Sequence, residues 1–431
     1  MKIALIGGGG VRTPLLARGL ARADLGLDEL ALYDPDQARL TLMAQVARTL
    51  VGKVRVTTHA TLAPAVDGAR FVVTSIRPGG IAARAADERC ALDLGLLGQE
   101  TIGPVGFHLA LRTIPPMVAY AEEIAKRAPE AWIVSFTNPV GAVTQAMTSR
   151  TGARVIGICD TPLELCAGVA AALGVDAKAC AFDYVGLNHL GWLTEVWHEG
   201  VPQLHRLWKD KDAVASVYRT PLFDAEDLQR QQLLPSEYVY YYAHTERAVA
   251  NLRKAGTSRG AAIQLLNDQL FADLGAVGAD QPAVYRAYIE ARNAGYMQIE
   301  TGAAGAIDAP AWADLTGYDK VGVDVITAIH RDLKLVMPLD VPNEGNIPEL
   351  GPDDVVEVPC VLDRNGARPL LTGPLPEGVR NLVLDVKAYE RLTIEAAFAR
   401  TPDAARRALA AHPLVGSSGA DRFLGAAVSP W

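Results

Sequence analysis

The chain has 431 residues, half of them hydrophobic and 21% charged, with a net charge of -8 at pH 7. That length exceeds a typical single domain, and the apolar fraction supports a large core rather than a disordered chain. The negative charge argues against a general nucleic-acid or membrane-surface role. Five cysteines, odd in number and irregularly spaced, imply no disulfide framework, so a reducing cytoplasm is expected. The apolar run before Gly7 is too short for a signal peptide, and no run approaches a membrane span.

In chain order, Lys2–Ile6 reads as an apolar strand, followed by Gly7, Gly8, Gly9 and Gly10 and a helical pattern through Leu15, Leu16 and Leu20. Glycines there let the backbone approach a pyrophosphate seated on a helix N-terminus. Arg12 stands at the third glycine position of G-x-G-x-x-G, so the motif is incomplete. The next strand, 30–33, ends in Asp34, placed to bind adenosine ribose hydroxyls. Together these predict dinucleotide binding. Further strands at 54–57, 71–76, 133–136 and 155–158 alternate with helical stretches, the pattern of a doubly wound α/β sheet. Their ends deliver Arg77, then Asn138, then Cys159 and Asp160 to one ligand-binding edge. Pro162 then suits the first turn of a helix. Taken alone, Cys159-Asp160 reads first as a buried thiol and a helix cap.

Beyond residue 162 the alternation fades. Residues 182–187 and 193–197 look extended and flank Asn188-His189, while 235–242 form an aromatic cluster containing Tyr238. Arg259 falls between Gly256 and Gly260, where a solvated loop charge is the default. Residues 355–362 and 380–386 are strand or helix candidates, and 387–411 is helical with a break at Pro402. The expected organisation is a Rossmann-type NAD-binding domain over 1–162. A tightly packed α+β substrate- and metal-binding domain follows over 163–431.

Several motifs together resemble the NAD- and manganese-dependent glycosidases of glycoside hydrolase family 4. They are the glycine turn with Thr13-Pro14, Ala83-Arg84-Ala85-Ala86-Asp87-Glu88-Arg89, Gly98-Gln99-Glu100-Thr101, Thr137-Asn138-Pro139, Cys159-Asp160-Thr161-Pro162, Gly186-Leu187-Asn188-His189 and Val356-Glu357-Val358-Pro359-Cys360. The resemblance implies that Cys159 and His189 bind the divalent metal and that Arg84 and Asn138 bind substrate. It makes Tyr238 the catalytic base, supported by Glu100, and sets Asp160 at the acid position of α-specific members. Arg259 lies one residue from the family's phosphate-binding arginine. Val105, Arg12 and Asn343-Glu344-Gly345-Asn346 depart from the usual pattern. The anomeric signals conflict: Asp160 points to α-linked substrates, whereas longer segments around Arg84 and Arg112 look closer to 6-phospho-β-glucosidases, which sets a slight lean to β.

The implied reaction cleaves a phosphorylated disaccharide or glucoside by oxidation at C3, deprotonation at C2, elimination of the aglycone, water addition and re-reduction. It lies outside the two-carboxylate scheme of most glycosidases. A Cys–His pair that leaves coordination positions open suits a catalytic rather than a closed structural metal site. The alternatives are an NAD-dependent 2-hydroxy-acid dehydrogenase and an inactive NAD-binding regulator. The same family resemblance implies a homo-oligomer, dimer or tetramer.

Overall fold

Strands buried on both faces of a parallel sheet are near-continuous apolar runs, and Phe71–Thr74 is buried at all four positions. The computed structural model describes residues 1–276, 278, 280–295, 297–302 and 317–431. Six parallel strands are β1 (Lys2–Ile6), β2 (Glu29–Tyr33), β3 (Arg55–His59), β4 (Phe71–Thr74), β5 (Trp132–Ser135) and β6 (Arg154–Gly157). They lie in the order β3-β2-β1-β4-β5-β6, the doubly wound order that opens a ligand crevice between β1 and β4. Ile3 pairs with both Leu30 and Phe71 at that switch point. Their carboxyl ends therefore share one edge, as the sequence predicts.

Next come β7 (Cys180–Leu187), β8 (Leu190–His198), β9 (Val201–Pro202) and β10 (Leu234–Pro235), an antiparallel group ordered β10-β8-β7 with β9 on β8. The last strands are β11 (Leu335–Pro342), β12 (Val355–Asp363) and β13 (Gly366–Pro369). These three extend the first sheet past β6 to nine strands, running antiparallel. The sheet is thus built from both halves of the chain, not from the six amino-terminal strands alone. Two prolines hide β11 in the sequence, since Pro is rare inside central strands. The register sets Pro338 opposite Pro359, so two missing donors share one rung.

Residues 355–362 are strand, but 380–386 lie inside the helix Glu377–Ala399. Val383, Val386, Tyr389, Glu390, Thr393 and Ile394 are among its buried residues, a 3.6-residue spacing that decides for helix. A second helix, Pro402–Ala410, follows the break, with Thr401 as its cap. Ile6, Val73, Val134 and Ile156 share one apolar cluster with Leu339 and Val358, so both halves close over a common core. Among the described residues, no helix is long and apolar enough to cross a membrane.

Candidate active site

The glycine turn follows directly from β1. Gly7 adopts φ 92°, and a β-carbon there would lie 2.1 Å from the Ser75 carbonyl oxygen. Only glycine fits, because positive φ and contact with a neighbouring backbone coincide. The Gly7 and Gly8 amides both donate to Tyr33 O at 2.9 Å, tying the turn to the end of β2. Asp34 accepts from the Gly9 amide at 3.0 Å and the Asp36 amide at 2.9 Å, while burial raises its pKa. Arg12 pairs with the buried Asp319 at 3.2 Å, joining this turn to the helix Gly317–Arg331.

A cavity of about 1930 Å³ runs along the carboxyl edge of the sheet. Gly7, Gly9, Gly10, Asp34, Arg77, Arg84, Glu100, Asn138, Asp160, Tyr238 and Arg259 all line it. Gly8, Cys159 and His189 do not: Gly8 packs toward Leu32, and the other two are 1% and 4% exposed. Arg84 is buried between Glu88, at 2.6 Å, and Glu100, which also receives Arg77. Arg259 is a correction. Rather than a solvated loop charge, it opens the helix Arg259–Gly275, because Ser258 caps that helix by accepting from the Ala261 amide. Its guanidinium donates to Arg292 O at 2.6 Å.

His189 holds φ 63° at the turn between β7 and β8. Its ring stacks on Tyr238 with centroids 3.8 Å apart and planes 7° from parallel. Burial pushes its pKa down to about 3, so the imidazole is neutral. Nδ1 lies 2.8 Å from Thr101 Oγ1. The Thr101 hydroxyl donates to Gln99 Oε1 at 3.0 Å, so it accepts from Nδ1–H. That tautomer leaves the buried Nε2 lone pair without a protein partner among the described residues. Asn138 Oδ1 is likewise buried, with no partner among the described residues. A neutral histidine anchored through one nitrogen with the other free is the form that ligates metals.

Asn188, beside His189, meets a carboxylate pair whose Asp340 lies across from Gly157, two residues before Cys159. Asn188 Nδ2 reaches Glu357 Oε1 at 3.2 Å and Asp340 Oδ2 at 3.4 Å, and Tyr184 OH donates to Glu357 Oε2 at 2.9 Å. Asp340 pairs with Gly157 on β6, two residues before Cys159. Burial, then the Glu357 and Asp160 carboxylates, hold the Cys159 thiol well above its ordinary pKa. A divalent cation reverses that balance by favouring the thiolate. Thr101, Gln99, Asn188, Asp340 and Tyr184 carry no role in the sequence reading. Gln99, Thr101 and Asn188 lie inside the quoted motifs, a usable signal, whereas Asp340 and Tyr184 reach the site only through strand register.

The doubly wound sheet and its glycine turn define a dinucleotide-binding α/β enzyme. Residues 2–175 match the model of the family 4 glycosyl hydrolases, and residues 184–415 match that family's C-terminal domain. The chain belongs to family 4 and is a glycosidase. It is 31% identical to a probable 6-phospho-beta-glucosidase of Bacillus subtilis, over 97% of this chain and 93% of that one. It is 30% identical to 6-phospho-alpha-glucosidase 1 of Lacticaseibacillus paracasei, over 91% and 88%. The structure of the Thermotoga maritima 6-phospho-beta glucosidase with manganese, NAD+ and glucose-6-phosphate matches with a TM-score of 0.82 and 27% identity, covering 99% of this chain and 97% of that one.

Proposed function

We propose that this chain is an NAD- and divalent-metal-dependent 6-phospho-glucosidase. The neutral His189 with its free Nε2, stacked on Tyr238, carries that proposal. The residues present fit both cofactors. The glycine turn and Asp34 suit NAD, and the thiol of Cys159 with Nε2 of His189 suits a cation that keeps positions open for substrate. When bound, NAD would exchange hydride at sugar C3 while the cation polarises the sugar oxygens as a Lewis acid.

The chain's own residues do the rest. Tyr238, held by the His189 ring, takes the proton from C2 as general base, with Glu100 in support. Arg84 and Asn138 orient the sugar, and Arg259 receives the 6-phosphate, for which a planar guanidinium supplies paired donors. Relatives on both sides of the anomeric divide match this chain, with a 6-phospho-beta-glucosidase ahead in identity, and we keep the lean to β. One observation favours an α-specific enzyme. Asp160 faces the cavity with its pKa raised by burial, as a leaving-group acid requires.

We also propose a cytoplasmic homo-oligomer, with a domain boundary near residue 162 across which the carboxyl-terminal domain adds strands to the amino-terminal sheet. Turnover of α- and β-linked 6-phosphoglucosides, with and without NAD and Mn²⁺, tests the function. Full activity after exhaustive removal of NAD would overturn it.

A further inference from the structure

Arg292 is a cation on the cavity wall held by neutral partners. Arg292 lies in the last turn of the helix Gln281–Ala294, whose cap is Asp280. Its Nη1 donates to Tyr288 OH at 3.1 Å, and that hydroxyl donates onward to the buried Asn267 Oδ1 at 2.6 Å. The chain Arg292–Tyr288–Asn267 therefore fixes one edge of the guanidinium through neutral partners. A guanidinium carries five N–H donors, and among the described residues Tyr288 is the only recorded acceptor for them.

Its neighbours sharpen the contrast. Arg77 and Arg84 are neutralised by Glu100 and Glu88, and Arg12 by Asp319. Arg292 has no ion pair among the described residues, yet it lines the same cavity. Burial, and then the charges of Arg12 and Arg77, lower its pKa. Its backbone carbonyl also holds Arg259 at 2.6 Å, so two arginines approach the cavity from adjoining positions. A half-buried cation facing other cations is electrostatically unfavourable until an anion arrives.

We infer that Arg292 binds a phosphoryl group of the bound ligand through the guanidinium edge that Tyr288 leaves free. This rests on the proposed function, whose ligands carry phosphoryl groups in two places, the sugar 6-phosphate and the dinucleotide pyrophosphate. Both present tetrahedral oxygens that a guanidinium can bond in pairs. The fixed orientation from Tyr288 limits the loss of side-chain freedom on binding.

The test compares the wild-type enzyme with Arg292→Gln and Arg292→Lys, with retained fold checked by thermal melting. Dissociation constants are measured for glucose-6-phosphate, for glucose and for NAD. Removing a charge-assisted pair of bonds should weaken one phosphate-bearing ligand by about 10- to 100-fold. Glucose affinity should stay within about twofold, a pattern that general structural damage does not produce. Lys, which keeps charge but loses the fork, should recover part of the loss. A fall in glucose-6-phosphate affinity assigns the sugar phosphate, and a fall in NAD affinity assigns the pyrophosphate. Unchanged affinity for both in folded Arg292→Gln overturns the inference, and if that variant does not fold, unchanged affinity for both in Arg292→Lys does so. If the wild type binds glucose-6-phosphate no tighter than glucose, the 6-phospho assignment fails instead, and the NAD arm still decides for or against Arg292.

Discussion

At the residue scale the site depends on the state of one histidine. His189 is neutral because it is buried, and its tautomer is set by Thr101, which is oriented in turn by Gln99. Thr101→Val keeps the shape and removes that acceptor. Mn²⁺ affinity should fall by about 10- to 100-fold, the usual effect of losing a group that orients a ligand. A metal titration of NAD-bound enzyme checks this, and unchanged affinity would mean that Thr101 does not hold the ring. Tyr238→Phe keeps the stacking surface and removes the proposed base. Turnover should drop by roughly 10²–10⁴-fold with little change in substrate KM. A loss expressed only in KM would assign Tyr238 to binding instead.

At the element scale the glycine turn and the antiparallel extension do different work. The turn needs an absent side chain. Gly7→Ala sets a β-carbon 2.1 Å from Ser75 O at a φ that L-residues resist. Positive-φ strain and overpacking together should cost about 2–4 kcal/mol. Denaturant unfolding measures that cost, and fluorescence titration should show weakened NAD binding. An alanine variant with wild-type stability and NAD affinity would show that the turn relaxes freely. The extension does its work by register: β11 and β12 set Asp340 opposite Glu357 and carry both carboxylates beneath Asn188. A one-residue slip would turn both to the other face of the sheet.

At the scale of the whole molecule, buried titratable groups set how stability follows pH. His189 and His412 are both pushed by burial from 6.5 to about 3, so they add stability as pH rises from about 3 to 6.5. Burial moves Asp319 up from 3.8 to about 6 and Glu357 from 4.5 to about 8. Raised carboxyls act with the opposite sign: the folded state holds their protons longer, so stability is lost as pH climbs through those windows. Above 6.5 only the falling contribution of Glu357 remains among these four groups. The metal-free, NAD-free protein should therefore lose melting temperature as pH rises from about 6.5 to 8. Glu357→Gln should flatten the decline, and a melting temperature that keeps rising to pH 8 would contradict it.

What the sequence determined by itself was what local chemistry can encode. Strand β1 with its glycines, Asp34 at the end of β2, and the strand ends carrying Arg77, Asn138 and Cys159 were legible because a parallel strand and its turn are contiguous. The sheet edge of the crevice followed from alternation. Tertiary structure decided the rest because its partners lie far apart in the chain. Asp340 comes under Asn188 only through antiparallel pairing that two prolines obscure. The ring of His189 meets Tyr238, 49 positions on, only once β10 has paired with β8 beside them. Arg259 changes from loop charge to cavity wall because Ser258 starts a helix there and Arg292 receives its guanidinium. Periodicity reports which face of an element is buried, and only packing reports what that face meets.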